Sequence, residues 1–171
     1  MEEVDGGMRT MGLGLCWDET PVGMRFKTVG RTLTDADITN FVGVTGMTEV
    51  LFTDLEYLRS QSLFKGRLVP GALVFSIAEG LLMQSVVQRT GLAFLGLEMK
   101  VDAPTFSGDT IHVECEVLVS RPTSKPGRGI VTTRNRIVNQ RGEAAMTYTP
   151  TRLVKGRDYQ PDRQPEPRPG A

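Results

Sequence analysis

The second half of the chain has a two-residue hydrophobic period. Between positions 109 and 119 every second residue is apolar: Ile111, Val113, Cys115, Val117 and Val119. The positions between them hold the polar residues His112, Glu114 and Glu116. Such alternation predicts a β-strand with one buried and one solvated face. Similar patterns at 93–103, 130–138 and 144–154 predict three more strands, with turn-forming residues between them.

The first half of the chain carries helix signals. After a β-type segment at 24–31, Thr34 and Asp37 form a capping box that predicts the start of a helix. Thr53 and Glu56 form a second capping box. This second box predicts a short helix with Thr53 as its N-cap.

One longer helix is expected to be buried. Residues Ala72 to Arg89 are apolar on almost every side, Pro70 suits the first turn, and Gly91 lies just past the end. One strand, then helices, then four consecutive strands is an order typical of an α+β fold. The helix must lie against the dry face of an antiparallel sheet, because no other segment can cover that face.

Both ends of the chain lack this periodicity. Residues 1–16 are rich in Gly and Met, and we interpret them as a flexible N-terminal arm. Residues 156–171 carry four prolines among charges, which predicts a disordered Pro-rich tail. The remaining residues, 17–155, fit one domain with a single hydrophobic core.

Composition narrows the class of function. Lys plus Arg and Asp plus Glu number 20 each, so no global field would attract nucleic acid or a membrane surface. Cys16 and Cys115 lie far apart, without metal-ligand spacing, which favours a reducing compartment. The N-terminus has no apolar signal, and the longest apolar stretch is too short to span a bilayer. We expect a cytoplasmic protein with no metal, no cofactor, no nucleic-acid partner and no membrane partner.

Six short segments, in this order along the chain, carry a family resemblance: 22–26, 34–37, 52–54, 66–71, 107–110 and 128–131. The longest reads Gly66-Arg67-Leu68-Val69-Pro70-Gly71, and it is the ordered set, not any one segment, that carries the resemblance. The set resembles the MaoC-like acyl dehydratases and (R)-specific enoyl-CoA hydratases over roughly residues 17–155. The resemblance implies a single hotdog domain, in which an antiparallel sheet wraps around a long central helix. It also implies an acyl-CoA or acyl-carrier-protein thioester as ligand, and a homodimer or a heterodimer with a related hotdog subunit.

The resemblance breaks down at the catalytic loop. Family hydratases carry an Asp and a His before the short helix, which act as general base and acid on water and the α-carbon of the thioester. Aligned through Asp54, this chain has Met47 at the Asp position, Glu49 at an Asn position and Phe52 at the His position. Neither Met nor Phe can move a proton. The one histidine, His112, falls on the predicted solvated face, so we do not expect the usual hydratase mechanism.

Phe52 has two compatible interpretations. As the residue before the predicted N-cap Thr53, it could pack against Tyr57 as a hydrophobic staple. It could also form a wall that faces the substrate. We therefore include Met47 and Phe52 among the expected substrate-binding residues.

Gly71 opens the predicted buried helix. In the family this helix end polarises the thioester carbonyl, and free backbone N–H groups with the positive end of the helix dipole suit that role. An ordinary helix start is the alternative. By helical spacing, Glu79 and Ser76 share one face of this helix. We expect Ser76 to bind substrate.

Two carboxylates are candidates for proton transfer. Glu49 is the titratable group inside the degenerate loop, although it could simply be solvated. Glu79 lies in an apolar helix and must be paired, protonated or reached by solvent. Some hotdog thioesterases use a carboxylate on this helix, so Glu79 supports a thioesterase alternative.

A basic loop stands out in a neutral chain. Arg121, Lys125 and Arg128 could contact the phosphates of coenzyme A, or the loop could be a solvated hairpin. Our first hypothesis is an acyl-thioester-binding protein, which could be repurposed for another acyl-thioester reaction. The alternatives are a non-catalytic subunit that partners an active MaoC-like hydratase, and a hotdog thioesterase that uses Glu79.

Overall fold

A computed structural model describes residues 4–5, 8–64 and 66–161. The strands are β1 (Val4–Asp5), β2 (Met8–Arg9), β3 (Arg25–Lys27), β4 (Arg31–Thr32), β5 (Gly91–Val101), β6 (Thr110–Pro122), β7 (Arg128–Asn139) and β8 (Ala144–Lys155). The helices are α1 (Asp35–Thr45), α2 (Val50–Thr53), α3 (Leu55–Ser60) and α4 (Gly71–Leu82), with a 3₁₀ turn at Trp17–Glu19 and a π-helical turn at Met83–Val87. The predicted α+β class is confirmed.

The main sheet has six antiparallel strands in the order β3-β6-β7-β8-β5, and β4 also pairs with β6. The four long strands, β5 to β8, are the four that the sequence pattern predicts. β5 forms one edge of the sheet, with β8 as its neighbour. The short strands β1 and β2 pair only with each other.

Strand β6 follows the predicted alternation over most of its length. Ile111, Val113, Cys115 and Val117 are buried, while His112 lies on the outer face with its Nε2 3.6 Å from Oε1 of Glu114. The prediction is wrong at Val119, which is 36% exposed. The register with β7 shifts between Val117 and Val119, and such a bulge moves the next side chain off the buried face.

The first capping box is confirmed and the second is wrong by one residue. The Asp37 N–H donates to the Thr34 hydroxyl over 3.2 Å, and the Thr34 N–H donates to the Asp37 carboxylate over 2.9 Å. Asp54, not Thr53, caps α3, because its Oδ1 accepts the N–H groups of Glu56 and Tyr57. Thr53 instead ends α2, where its hydroxyl donates back to a carbonyl of the preceding turn. A carboxylate at the N-cap also interacts favourably with the helix dipole.

This shift also removes the predicted staple. Phe52 lies inside α2 rather than one residue before the cap of α3. A hydrophobic staple joins the residue just before the cap to the fourth helical residue, so Phe52 and Tyr57 do not have that relationship. Phe52 packs against the main core instead.

The buried helix changes geometry before the predicted end at Arg89. The Met83 N–H donates to the carbonyls of both Glu79 and Gly80, and the backbone then widens into the π-helical turn. Arg89 has a φ of 60°, which ends the helical run. Just after this point a glycine is required at position 91, because a Cβ there would lie 2.9 Å from a methyl of Val87.

α4 lies across the inner face of the sheet, as predicted. Its buried side chains are Leu73, Val74, Ile77, Ala78, Leu81 and Leu82. They share one core cluster with buried residues of three strands, among them Ile111, Val113, Ile137, Met146 and Tyr148. None of the helices in the described part of the chain has the length and apolar character needed to cross a membrane.

The two ends of the domain meet at one end of the sheet. The N–H groups of Gly14 and Leu15, in the predicted arm, donate to the carbonyls of Gln88 and Val86. The Trp17 ring lies so close to Gly129 that a Cβ there would be 2.2 Å away. Gly156 to Pro161 is described from the predicted tail, and residues 162–171 lie outside the described part of the chain.

Candidate functional site

A cavity of about 360 Å³ opens at the N-terminal end of α4. We call it the Gly71 cavity, because Gly71 lies in its wall. Most of the lining is apolar, from Phe64, Leu68, Val74, Val101, Pro104 and Met146. A backbone hydrogen bond holds two segments of the wall together, because the Val69 N–H donates to the carbonyl of Thr105 over 2.9 Å. The cavity is therefore an apolar depression against a helix start.

The helix start next to this cavity carries free backbone donors, and one of the two residues concerned, Gly71, belongs to the lining. The N–H groups of Leu73 and Val74 both donate to the carbonyl of Pro70, over 2.9 and 3.1 Å. The N–H groups of Gly71 and Ala72 have no acceptor among the described residues. A Cβ at Gly71 would lie 3.8 Å from Cε of Met146 and 3.9 Å from a methyl of Val101, so any larger side chain would occupy the cavity. The geometry suits a carbonyl oxygen that needs two donors.

Asp102 is a titratable residue of the Gly71 cavity that sequence reasoning missed. The Thr147 hydroxyl donates to its Oδ2 over 2.7 Å, and Nζ of Lys100 lies 2.9 Å from its Oδ1. These two contacts, the Thr147 hydrogen bond first, hold the pKa of Asp102 below its usual range. Asp102 could have been found only from the pairing of β5 with β8, which sets Lys100 opposite Thr147 and so gathers both partners of Asp102. A single sequence does not reveal that pairing.

The residues of the degenerate loop lie apart from the described lining of the Gly71 cavity. Glu49 is exposed, and its Oε2 accepts the N–H of Leu51 over 2.7 Å, so it caps α2. Met47 is 37% exposed. Phe52 is half-buried against the main core.

Glu79 belongs to a buried polar cluster on the inner face of the sheet. The Tyr148 hydroxyl donates to its Oε1 over 2.9 Å, and Nη2 of Arg152 lies 2.5 Å from its Oε2. The side chains of Glu79 and Arg152 are 13% and 8% exposed. Burial, and then the charge of Glu79, raise the pKa of Tyr148, so its phenol stays neutral. The apolar helix can carry this carboxylate because Arg152 balances its charge and Tyr148 donates a hydrogen bond to it.

Ser76 lies on the open face of α4. Its hydroxyl donates to the carbonyl of Ala72 over 2.8 Å, and Gly80 on the same face has nothing within 4 Å of a built Cβ. The neighbouring face of edge strand β5 is also uncovered: Leu97, Met99 and Val101 are exposed there. Helix and strand together present an apolar surface next to Glu79 and Gly71.

The basic loop lies at the other end of the sheet from Gly71. Arg121 and Arg128 flank the β6–β7 turn, where Gly129 pairs with Val154. Met146, which contacts the Gly71 position, lies eight residues before Val154 on β8, or about 26 Å away along an extended strand. Arg128 stacks over the Tyr159 ring, 5.4 Å from its centroid. Within one chain these charges do not meet the Gly71 cavity.

The two thiols are buried and uncrosslinked. Desolvation raises the pKa of Cys115 to about 12, so its thiol is neutral. Among the residues that the structure describes, no group of three His, Cys, Asp or Glu side chains converges as metal ligands would.

Comparison with known proteins identifies the family. Residues 18–139 match the MaoC-like domain model. A mesaconyl-CoA hydratase from Cereibacter sphaeroides is 38% identical over 55 residues, which is 32% of this chain and 16% of that protein's length. A MaoC-like dehydratase from Rhodospirillum rubrum is 32% identical, covers 85% of this chain and 100% of its own, and superposes with a TM-score of 0.76.

A third comparison concerns the fold alone. A Mycobacterium tuberculosis protein described as having a double hotdog fold superposes with a TM-score of 0.74 at 19% identity, over 87% of this chain and 47% of its own. The sheet wrapped on α4 is thus a single hotdog unit, as the sequence predicts. With the family match extending over most of the domain, the chain belongs to the MaoC-like domain family.

Proposed function

We propose that this chain binds an acyl thioester, carried by coenzyme A or by an acyl carrier protein, in the Gly71 cavity. The observation that carries the proposal is the pairing of an apolar cavity with two N–H donors, those of Gly71 and Ala72. A thioester carbonyl at this helix start would accept those donors, and the acyl group would meet the apolar wall. The mesaconyl-CoA hydratase and the MaoC-like dehydratase among the relatives support this ligand class.

In this proposal the protein does not act as a standard hydratase. Met47 and Phe52 occupy the positions at which family hydratases place their Asp and His, and neither side chain can exchange a proton. General acid–base groups typically contribute about 10²–10⁴-fold in rate, so hydration without both would be slow. Met47, Phe52 and Ser76 lie outside the described lining of the Gly71 cavity, so in the proposal they contact a part of the substrate that extends beyond it.

Any reaction of the bound thioester would use a carboxylate. Glu79 lies about 12 Å along the helix axis from Gly71, whereas a general base must come within about 2.6–3.2 Å of the proton it moves. Asp102 lines the cavity itself and, with its lowered pKa, is ionised at neutral pH, although the same shift makes it a weaker base. Glu49 sits in the loop where the family places its chemistry. We rank Asp102 first for a thioester held by the same chain, because it is the carboxylate in the described lining of the Gly71 cavity, and neither Glu49 nor Glu79 belongs to that lining.

A second subunit completes the proposed assembly. The open face of α4 and the uncovered side of β5 form one apolar surface, and edge strands offer unpaired backbone groups to another strand. We propose a dimer through β5, with a second copy or with a related hotdog subunit. Contacts of Arg121, Lys125 and Arg128 with coenzyme A phosphates would then come from the partner's loop.

Two alternatives have specific observations in their favour. The absent dyad favours a non-catalytic subunit that shapes the pocket of an active MaoC-like hydratase. A thioesterase that uses Glu79 is favoured only by the position of that carboxylate beside the dimer surface. Because Glu79 already binds Tyr148 and Arg152, its oxygens are less available for chemistry.

Binding and turnover measured on the purified protein test the proposal. Isothermal calorimetry with a non-hydrolysable acyl-CoA analogue should give saturable binding. A panel of acyl-CoAs, followed for loss of enoyl absorbance and for release of free thiol, separates a repurposed enzyme from a binding subunit. A folded protein that binds neither acyl-CoA nor acyl carrier protein would overturn the proposal.

A further inference from the structure

A second cavity lies at the opposite end of α4 from Gly71. It has a volume of about 50 Å³ and lies between the π-helical turn and the sheet, and we call it the π-turn cavity. Most of its wall is apolar, with Leu15, Leu82, Val87 and Val117 among the lining residues. One water molecule needs about 10–15 Å³ on this scale, so the cavity accommodates a group of roughly three to five heavy atoms.

Three polar side chains of this lining are deeply buried and unsatisfied. Asn135 is 0% exposed; its amide lies close enough to the Tyr148 hydroxyl to act on the pKa of that phenol, but neither amide atom makes a hydrogen bond of normal geometry in the described part of the chain. Nε of Arg152 and the hydroxyl oxygen of Thr90 have no hydrogen-bond partner among the described residues either. All three residues line the π-turn cavity. Buried polar atoms in native proteins almost always have a hydrogen-bond partner, so this group points to a ligand that supplies one.

The charge of the cavity selects among possible ligands. Arg152 is the ionised side chain of the lining, and Glu79 already balances it over 2.5 Å. A carboxylate ligand would leave one buried negative charge unbalanced, and an ammonium ligand would leave one positive charge, and both are unfavourable in an apolar surrounding. A neutral group with a donor and an acceptor matches the amide of Asn135, which itself offers both.

We propose that the π-turn cavity is a binding site for a short alkyl group that ends in a neutral hydrogen-bonding function, such as an alcohol or a primary amide. The alkyl part contacts the apolar walls, and the end group exchanges hydrogen bonds with Asn135 and accepts from Nε of Arg152. This chemistry has two possible sources, a free small molecule or the far end of an acyl chain. The second source rests on the proposed thioester function.

A titration followed by ¹H–¹⁵N NMR tests the site directly. The probes are butan-1-ol, propionamide, propionate and butylammonium, which have five heavy atoms each, and the readout is the side-chain amide signal of Asn135. We expect saturable shifts with butan-1-ol and propionamide, and at least tenfold weaker affinity for the two charged probes. No saturable shift with any probe, or equal affinity for all four, would overturn the proposal.

Two variants and a control locate the binding. Asn135→Leu keeps the side-chain size and removes the amide, and Val131→Phe fills the cavity without touching the polar group. Followed through backbone signals of the lining, each should lower butan-1-ol affinity at least tenfold, whereas Asn40→Leu on the exposed side of α1 should not. If Asn135→Leu does not fold, Val131→Phe still decides. Wild-type affinity in a folded Val131→Phe protein would place the probe elsewhere and overturn the assignment.

A second arm distinguishes the two sources. α4 rises about 17 Å from Gly71 to Leu82, a span that an extended chain of roughly fourteen carbons covers. Tetradecanoyl-CoA and its 14-hydroxy derivative are therefore compared by calorimetry. At least tenfold preference for the hydroxy form, lost in Asn135→Leu, assigns the site to the acyl chain. Equal affinity of the two thioesters, with butan-1-ol still bound, assigns it to a free molecule. Absence of acyl-CoA binding would contradict the proposed function and leave the NMR result standing.

Discussion

Arg152 and Glu79 form an ion pair, 2.5 Å between Nη2 and Oε2, inside the layer between α4 and the sheet. The pair joins the central helix to β8, and Tyr148 binds the same carboxylate. Burying two charges is unfavourable, so the pair stabilises the fold only relative to a state in which one partner is removed. Its most direct consequence is that the loss of stability should be large in a single variant and small in the double variant.

Glu79→Gln should destabilise the protein by about 3–5 kcal/mol, because Arg152 would then be a buried and unbalanced charge. The double variant Glu79→Gln/Arg152→Met should recover most of that loss. Urea unfolding followed by circular dichroism measures both values. As a control, Arg134→Met breaks an exposed pair with Glu116 on the outer face and should cost less than about 1 kcal/mol. Additive effects of the two inner substitutions would contradict the coupling.

The purified protein should hydrate crotonyl-CoA far more slowly than family hydratases. The physical reason is that, in the alignment through Asp54, Met47 and Phe52 stand where family hydratases carry their proton-transfer groups. Loss of enoyl absorbance is the measurement. A gain of activity in Met47→Asp/Phe52→His would support the alignment, and family-like turnover by the wild type would refute this prediction.

Gly71→Val should weaken acyl-CoA binding at least tenfold while the fold is retained. A Val side chain would enter the Gly71 cavity beside Met146 and Val101, where the acyl group is proposed to lie. Gly43→Val is the matched control, because Gly43 also lies in a helix and a Cβ there meets nothing within 4 Å. Calorimetry on both variants gives the comparison. Equal loss of affinity in both would indicate a general effect of valine in a helix.

Acyl-CoA affinity should fall with salt, and the slope should be smaller in Arg121→Gln/Lys125→Gln. Screening acts on exposed charges, and both residues are exposed in the hairpin loop. Arg59→Gln, an exposed cation in α3, serves as the control. If the affinity of the double variant depended on salt as strongly as that of the wild type, the loop would not be in contact with the phosphates.

Stability should fall in acid through Asp109. Burial raises its pKa, but hydrogen bonds from the Phe106 N–H, Arg141 and Gln140 outweigh burial and hold the pKa below the usual range. The folded pKa is thus lower than the unfolded value of about 3.9, so its contribution is present above that value and lost as pH falls through the folded pKa. Asp109→Asn should be less stable at pH 7 and lose less stability between pH 7 and pH 3. Unfolding free energies across that range measure the effect, and parallel curves for wild type and variant would contradict it.

The sequence predicts the sheet well because its strands obey a simple period. β6 alternates as expected up to Val117, and only the bulge before Val119 breaks the pattern. The bulge depends on how β7 pairs, which local residues do not encode. The N-cap of α3 is one residue later than predicted for a local reason. Asp54 and Thr53 are both favourable N-cap residues, and the structure uses the charged one.

The site is harder to predict than the fold. Gly71 could be found because a Pro-Gly pair marks a helix start, but Asp102 required the register between β5 and β8. The same limit applies to Glu79, whose partners Tyr148 and Arg152 lie about seventy residues along the chain. The distance of the basic loop from Gly71 follows from the lengths of β6 and β7. Because both strands are long, the turn that joins them lies at the far end of the sheet.

The chain enters and leaves its domain at nearly one point. Nη2 of Arg157, just after β8, lies 2.9 Å from Oε1 of Glu19, in the turn that begins at Trp17. This point is at the end of the sheet far from Gly71, so the described chain enters and leaves the domain on the side away from the Gly71 cavity. A second such unit joined at this point would begin on that side, and two units could follow one another without threading one through the other.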